Sequence, residues 1–210
     1  MTERPKAIRP VSQRATHANV MIYGMPGVGK SPLAGTSPKA LVLECGPGET
    51  NSIKAAGLEV DVWEITHRQD LEEVHEYMRH EGSAYYDWLW LDSISMLEGR
   101  MMGEPMEDVV ARNSHRNRLV PDKAEYLKVQ NTLDEFTRWF TALPCHFGMT
   151  AHVMIGQAEE MTEDGEKTYH ETYMPAIQGG QGKLAQKICG YFDIVGHMEK
   201  VRVKDTVIQR

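Results

Sequence analysis

The sequence of 210 residues has little cysteine and no long apolar segment, and each shortage excludes a class of protein. Its three cysteines are far apart and have neither the paired spacing of a zinc site nor that of a disulfide framework. No apolar run approaches the roughly 20 residues that a membrane-spanning helix requires. Residues 1–17 also lack the apolar segment of a signal peptide. We therefore expect a cytoplasmic protein in a reducing compartment that does not enter a membrane.

The chain also lacks an excess of positive charge. It has 30 acidic against 23 basic residues and a formal net charge of −7. Domains that bind nucleic acid are commonly basic, so a nucleic-acid contact would have to come from a local patch or from an oligomer that collects small patches. Hydrophobic residues make up 41% and charged residues 25% of the sequence, which is ordinary for a globular protein.

Short apolar strands alternate with helical segments, which predicts an α/β fold with a mainly parallel sheet flanked by helices. Strands are predicted at 19–23, 40–44, 60–65, 88–92 and 147–152, and helices at 68–81, 123–143 and 182–190. Residues 159–173 alternate around Asp164-Gly165, which predicts a β-hairpin insertion. Antiparallel strands at 191–198 and 201–208 are expected to close the fold. We divide the chain into a flexible polar lead-in, residues 1–17, and one core domain, residues 18–210.

The most specific motif is GMPGVGKS, from Gly24 to Ser31, which fits the phosphate-binding pattern GxxxxGK[ST] in full. Glycines let successive backbone amides point inward at a phosphate, where side chains would block the approach. Lys30 is predicted to reach the β- and γ-phosphates and the Ser31 hydroxyl to bind Mg²⁺. The following helix directs its positive end at the same anion and tolerates Pro32 in its first turn. ATP and Mg²⁺ are therefore the expected ligands, with nucleotide contacts at Gly24, Met25, Pro26, Gly27, Val28, Gly29, Lys30, Ser31 and Pro32.

Acidic residues end two of the predicted strands. Asp92 ends the apolar run WLWLD and is predicted to hold Mg²⁺ directly or through water, as in a Walker B strand. Position 93 is serine, not the glutamate that many ATPases carry there, so the base that activates water must come from elsewhere. Glu44 is the first candidate, because it would face the γ-phosphate if its strand neighbours that of Asp92. Glu49 on the following loop is the alternative, and Glu44 would then only cap a loop.

His152 ends the strand predicted at 147–152. A polar side chain at this position can sense the γ-phosphate and pass its presence to the following loop. A histidine that is only hydrogen-bonded for structural reasons is the alternative.

Basic side chains in two segments are candidates for DNA contacts. One is the stretch 112–123, with Arg112, Arg116 and Arg118, and the other is the hairpin with the glycine-rich loop that contains Lys183. Solvated charges and a loop without a ligand are the alternatives. Lys200 and Arg202 share one face of a terminal strand, where they would reach the γ-phosphate held by a neighbouring subunit or simply be solvated.

Taken together, the segments GMPGVGKS, ALVLE, WLWLDS, MTAH and IQGGQGKLAQKICGYFDIVGHME resemble the RecA-core ATPases. The resemblance covers residues 18–205 and is closest to the small single-domain RecA-like proteins of bacteriophages that are linked to recombination and single-strand annealing. It implies a central P-loop strand, ATP between the subunits of a ring or filament, single-stranded DNA on loops that face the axis, and a bacterial host cytoplasm. By position, Glu44 matches the catalytic glutamate, His152 the sensor, and the loops after Asp92 and His152 the DNA-binding loops. The sequence departs from that family in its acidic charge, in Pro32 where Thr or Ser is usual, and in its early end.

These patterns leave three functions open. The first is an ATPase that acts on single-stranded DNA in recombination or annealing, with a single-strand DNA-binding protein as a further partner. The second is a nucleotide-gated scaffold that binds ATP and barely hydrolyses it. The third is a small-molecule kinase. Residues 112–118 are the one candidate for the lid of such an enzyme, and the acidic hairpin at 159–166 argues against a kinase.

Overall fold

The structure is a computed structural model that describes residues 17–113, 115–117, 119–161, 164, 167–179, 182–203 and 206–209, the last six of these (202, 203 and 206–209) by their backbone alone. The predicted lead-in, residues 1–17, lies outside this description except for His17. In the described residues the order of elements is β1 (Asn19–Gly24), α1 (Lys30–Gly35), β2 (Ala40–Glu44), α2 (Asn51–Ala55), β3 (Asp61–Glu64), α3 (Arg68–His80), β4 (Trp88–Asp92), α4 (Ile94–Met101), α5 (Gly103–Arg112), α6 (Lys123–Thr141), β5 (His146–Met161), β6 (Lys167–Pro175), α7 (Lys183–Cys189), β7 (Ile194–Met198), β8 (Lys200–Val203) and β9 (Thr206–Gln209).

The sheet has the strand order β3-β2-β4-β5-β1-β7, and all of these neighbours pair in parallel. The carboxyl ends of β1, β5, β4 and β2 therefore lie side by side at one edge, which we call the nucleotide edge. At this edge Gly24 is level with His152, and Glu44 is level with Asp92. The predicted α/β fold with a mainly parallel sheet is confirmed, and so is the neighbourhood of the strands that end in Glu44 and Asp92.

Helices cover both faces of the sheet. On one face the apolar sides of α3, α4, α6 and α7 pack against the strands in one large cluster. On the other face Ala34 of α1 and Ile53 of α2 pack against Val42 and Trp90. Strands buried on both faces are apolar throughout rather than alternating, which explains why β2 reads ALVLE with four of its five residues buried.

The C-terminal part of β5 extends beyond its parallel neighbours and pairs with β6 in a long antiparallel hairpin. The pairing runs from Val153 opposite Pro175 to Met161 opposite Lys167. The predicted hairpin is confirmed, although most of its turn lies outside the described residues. Its base is held by stacked rings, because His197 of β7 lies 5.1 Å from the ring of Tyr23 and 4.9 Å from that of Tyr173.

Two of the predicted boundaries are wrong. Residues 201–208 do not form one strand, since β8 and β9 turn back on each other as a separate antiparallel pair. The strand predicted at 191–198 begins only at Ile194 and runs parallel to β1. The sequence also did not predict α4 and α5, because Gly99 and Gly103 interrupt the apolar pattern there. No helix in the described parts of the chain is long and apolar enough to cross a bilayer.

Candidate nucleotide site

The predicted phosphate-binding loop joins β1 to α1 at the nucleotide edge. Gly27 and Gly29 have φ angles of 76° and 108°, a region that residues with a side chain rarely adopt. At Gly24 a Cβ would lie 2.2 Å from the carbonyl oxygen of Met198, so glycine is needed for the close approach of β1 and β7. Pro32 lies in the first turn of α1, whose six residues begin directly after Gly29. The backbone thus forms the tight loop that the motif predicts.

Lys30 is 7% exposed and holds its ammonium group over this loop. Its Nζ donates hydrogen bonds to the carbonyl oxygens of Gly24, at 2.9 Å, and Met25, at 3.0 Å. Burial lowers the pKa of Lys30, and the nearby carboxylates of Asp92 and Glu49 act against that shift. A cation placed in this way attracts the phosphates of a nucleotide.

Asp92 is 2% exposed and lies beside the loop. The hydroxyl of Thr150 donates to its Oδ1 and the hydroxyl of Ser31 lies close enough to stabilise the charge, while its Oδ2 is buried with no hydrogen-bond partner among the described residues. Burial raises the pKa of Asp92, although the hydroxyls of Ser31 and Thr150 and the charge of Lys30 stabilise its ionised form. Hard oxygen ligands are those that Mg²⁺ prefers, so the free carboxylate oxygen and the Ser31 hydroxyl fit this ion.

The two glutamates considered as base have different surroundings. Glu44 accepts hydrogen bonds at Oε1 from the backbone N–H of Thr50, at 3.0 Å, and from its hydroxyl, at 2.8 Å. Glu49 accepts from the hydroxyl of Ser93, at 2.9 Å, and from the backbone N–H of Gly46, at 2.7 Å. Burial and the charge of Asp92 raise the pKa of Glu49. The structure therefore brings Glu49 into the electrostatic field of Lys30 and Asp92, while Glu44 holds the start of α2.

His152 ends the part of β5 that lies between β1 and β4. Burial lowers the pKa of its imidazole, Lys30 lowers it further, and Asp92 opposes the shift. The histidine is therefore predominantly neutral at pH 7 beside the two charged groups of the site. Its role as a γ-phosphate sensor stays a prediction.

Comparison with known proteins decides the family. The sequence profile of the AAA domain family matches residues 16–210. The chain belongs to the AAA domain family. Together with the loop at Gly24–Ser31, this membership identifies a nucleotide-binding P-loop ATPase domain.

Solved structures with a similar fold are distant in sequence from this AAA domain. One is the flagellar accessory protein FlaH from Methanocaldococcus jannaschii, with a TM-score of 0.44 and 10% identity over 91% of this chain and 75% of that one. Another is an ATPase from the type III secretion system of pathogenic bacteria, with a TM-score of 0.39 and 16% identity over 65% of this chain and 44% of that one. No curated protein matches the sequence significantly.

The basic residues predicted to contact DNA lie on separate elements in the described part of the AAA domain. Arg112 is exposed at the end of α5, and Lys183 is exposed as the first residue of α7. Arg116 is instead paired with Asp122 and with Glu125, the latter at 3.0 Å. These two carboxylates neutralise its guanidinium, so Arg116 is a poor candidate for a phosphate contact. Arg118 lies outside the described residues.

The two cations predicted to act on a neighbouring subunit lie on β8. Lys200 is exposed, and only the backbone of Arg202 is described. Residues two apart in a strand share a face, so the expected common face is kept. Their action in trans stays a prediction.

Sequence reasoning missed three polar residues at the nucleotide edge. Thr150 binds Asp92, Ser93 binds Glu49, and Ser95 accepts from the backbone N–H of His152 at 3.0 Å. A signal existed for Thr150, because alternation along a strand puts it on the same face as His152. Ser93 also had one, since a serine directly before a helix is a common N-cap, and its hydroxyl accepts from the N–H of Met96.

Proposed function

We propose that this AAA domain hydrolyses ATP with Mg²⁺ at the nucleotide edge, and that the hydrolysis is stimulated by single-stranded DNA in phage-type recombination or annealing. The observation that carries the proposal is that Lys30, which is bonded to the phosphate-binding loop, lies close enough to Asp92 and Glu49 for the three charges to act on one another. A buried cation, a buried carboxylate and a half-buried carboxylate are costly to keep together without a ligand. The phosphates of a nucleotide would supply negative charge opposite Lys30, and its metal ion would supply positive charge opposite the carboxylates.

Each group has a role that follows from its position. The loop amides and Lys30 bind the β- and γ-phosphates and hold them in line for attack. Ser31 and Asp92 hold Mg²⁺, which neutralises phosphate charge when it is bound. His152 contacts the γ-phosphate as a neutral hydrogen-bonding group, so its state depends on whether that phosphate is present.

Glu49 is the base that we propose for activating the attacking water. Its carboxylate is oriented by one donor on each oxygen, the hydroxyl of Ser93 and the backbone N–H of Gly46, and its raised pKa brings it closer to the value at which a carboxylate accepts a proton efficiently. Glu44 was the first candidate for the base from the sequence. One of its carboxylate oxygens accepts two hydrogen bonds from Thr50, one from the backbone N–H and one from the hydroxyl. We assign Glu44 to positioning the loop that carries Glu49.

An oligomer is part of the proposal, as a ring or filament with ATP between subunits. Strand β1, which leads into the phosphate-binding loop, is adjacent to β7, the last strand in the order of the sheet. On β7 the side chains of Ile194 and Val195 are 55% and 42% exposed. Apolar side chains at a sheet edge favour contact with another chain. A second copy seated there would lie close to the nucleotide, with Lys200 and Arg202 available to act in trans. A single-strand DNA-binding protein is the further partner that this role implies.

The test is ATP hydrolysis by the purified protein with and without single-stranded DNA, together with DNA binding with and without ATP. We expect DNA to stimulate hydrolysis and ATP to strengthen DNA binding. Hydrolysis that ignores DNA, combined with no ATP-dependent DNA binding, would reject the DNA role and leave the ATPase.

A nucleotide-gated scaffold is the second candidate, and the charge distribution favours it. Arg116 is neutralised by its own chain, and the described part of the hairpin carries Glu159, Glu160 and Glu171. Acidic surface repels nucleic acid and suits a protein partner. Assembly that depends on nucleotide but persists when hydrolysis is abolished would identify the scaffold.

A further inference from the structure

Helix α4 starts directly after the nucleotide edge and contacts the segment that leaves the hairpin. Its N-cap is Ser93, which follows Asp92 and binds Glu49. Ser95 and Glu98 are three residues apart and so project from one side of the helix. Both are hydrogen-bonded to residues 176–179, which we call the connecting segment and which leads from β6 towards α7.

Ser95 closes a triangle of hydrogen bonds with the sensor strand. Its Oγ accepts from the backbone N–H of His152, at 3.0 Å, and donates to the carbonyl oxygen of Ala176, at 2.8 Å. The N–H of Ala176 in turn donates to the carbonyl oxygen of His152, at 2.8 Å. One hydroxyl thus joins three elements: α4, the end of the parallel part of β5, and the connecting segment.

Glu98 holds the next part of the connecting segment. Both of its carboxylate oxygens accept the backbone N–H of Gln178, at 3.1 and 3.0 Å. The side chain is 7% exposed, and no cation in the described part of the chain pairs with it. Burial raises the pKa of Glu98, as expected for a carboxylate that loses its water. An apolar residue would fill this space at lower cost, so the carboxylate is best explained by its bond to the segment.

We propose that Ser95 and Glu98 are positioning residues that transmit the state of the nucleotide site to the connecting segment and α7. The proposal rests on the function proposed above. If the γ-phosphate displaces His152, the hydrogen bonds at Ser95 move with it. If Glu49 moves, it displaces Ser93 and with it the start of α4. Because a helix moves as a unit, Glu98 then carries Gln178 with it, and Lys183 at the start of α7 changes position. Nucleotide binding would in this way alter a surface that does not touch the nucleotide.

The experiment is hydrogen exchange of peptides covering residues 174–190, with and without a non-hydrolysable ATP analogue and Mg²⁺, alongside a measurement of affinity for the analogue. In the wild-type protein the analogue should slow exchange by about fivefold, the effect of one added hydrogen bond. The double variant Ser95→Ala, Glu98→Ala should lose this response while its affinity stays within about fivefold of wild type, the largest change that the loss of a coupling of this size produces. Glu98→Gln should keep it, because the amide oxygen still accepts the Gln178 N–H.

The matched control is Arg100→Met on the same helix. Arg100 donates to the carbonyl oxygen of Ile65, at 2.7 Å, away from the connecting segment, and its loss should leave the response intact. If the double variant does not fold, Ser95→Ala alone serves, since it removes one hydroxyl and should still reduce the response. A double variant that responds like the wild type would overturn the inference, as would a wild type that binds the analogue without a change in exchange. Absence of nucleotide binding by the wild type would instead reject the proposed function itself.

Discussion

The nucleotide edge and the basic stretch at 112–123 both carry conspicuous charges, but the fold places those charges in opposite ways. At the edge, Lys30 and Asp92 are 7% and 2% exposed, and one oxygen of Asp92 has no partner among the described residues. In the basic stretch, Arg116 is matched by two carboxylates and Arg112 is simply exposed. Buried charges without full compensation are costly, so they mark a site, while compensated or solvated charges do not.

The largest expected effect is the loss of Lys30. Lys30→Ala removes the buried ammonium group that lies over the phosphate-binding loop, and we expect ATP hydrolysis to fall by at least about 10²-fold. Steady-state hydrolysis at saturating ATP measures it. Lys39→Ala is the control, because Lys39 is exposed and paired with Asp87 before β4, at the opposite edge of the sheet. Equal losses in the two variants would remove the distinction between buried and exposed charge.

The second prediction concerns Arg116 as a structural residue. Arg116→Ala leaves the carboxylate of Glu125, 5% exposed, without its cation, and should lower the free energy of unfolding. Denaturant unfolding measures the change. Arg112→Ala should have no such effect, since Arg112 is exposed. A stable Arg116→Ala protein would show that the ion pairs contribute little.

The third prediction uses the raised pKa of Asp92. A raised carboxyl pKa means that the folded state disfavours the ionised form, so the charge reduces stability once the pH exceeds the unfolded pKa. Asp92→Asn should therefore leave the unliganded protein as stable as the wild type, or more stable by up to about 1 kcal/mol. The same variant should lose the stabilisation that ATP with Mg²⁺ gives. Thermal unfolding with and without ATP and Mg²⁺ measures both the stability of the variant and its stabilisation by the ligand. A variant that is less stable than the wild type and is still stabilised by ATP with Mg²⁺ would contradict the assignment of Asp92 as a metal ligand.

The smallest effects are expected at the surface proposed to contact DNA. Lys183→Ala and Arg112→Ala each remove one exposed cation and should weaken binding of single-stranded DNA about two- to fivefold and reduce its salt dependence. Fluorescence anisotropy with a labelled oligonucleotide at several salt concentrations measures this. Arg116→Ala should leave affinity unchanged if its charge is already neutralised. A larger loss for Arg116→Ala than for Lys183→Ala and Arg112→Ala would show that the Arg116 guanidinium contacts DNA despite its ion pairs.

The parts of the fold that depend on local sequence were predictable. The strands Ala40–Glu44 and Trp88–Asp92 have the bounds predicted for them, because an apolar run between turn residues determines a buried strand. The phosphate-binding loop was predictable for the same reason, since its glycines are required by the backbone itself. Helix α4 was not, because its helical pattern is short and contains Gly99, and tertiary packing stabilises it.

The residues of the site were predictable only where they lie at the carboxyl end of a predicted parallel strand. Asp92 and His152 follow from the register of parallel strands, whereas Glu49 lies five residues beyond the end of β2. Its position depends on Gly48, with a φ of 78°, and on bonds to Gly46 and Ser93. Such loop geometry is not visible in the sequence. The pairing of Arg116 had a local signal, since Asp122 and Glu125 form a capping box three residues apart.

The central claim is that Lys30, Asp92 and Glu49 form one hydrolytic centre, and a kinetic comparison of Glu49→Gln with Glu44→Gln tests it most directly. Glutamine keeps the shape but accepts no proton, so Glu49→Gln should lower kcat by about 10²- to 10⁴-fold with ATP affinity retained, and Glu44→Gln by much less. In the wild type the rate should fall as the pH drops through the pKa of Glu49, which lies above the ordinary value of 4.5 because burial and Asp92 raise it. A Glu49→Gln protein that hydrolyses ATP at the wild-type rate while Glu44→Gln is inactive would contradict the account.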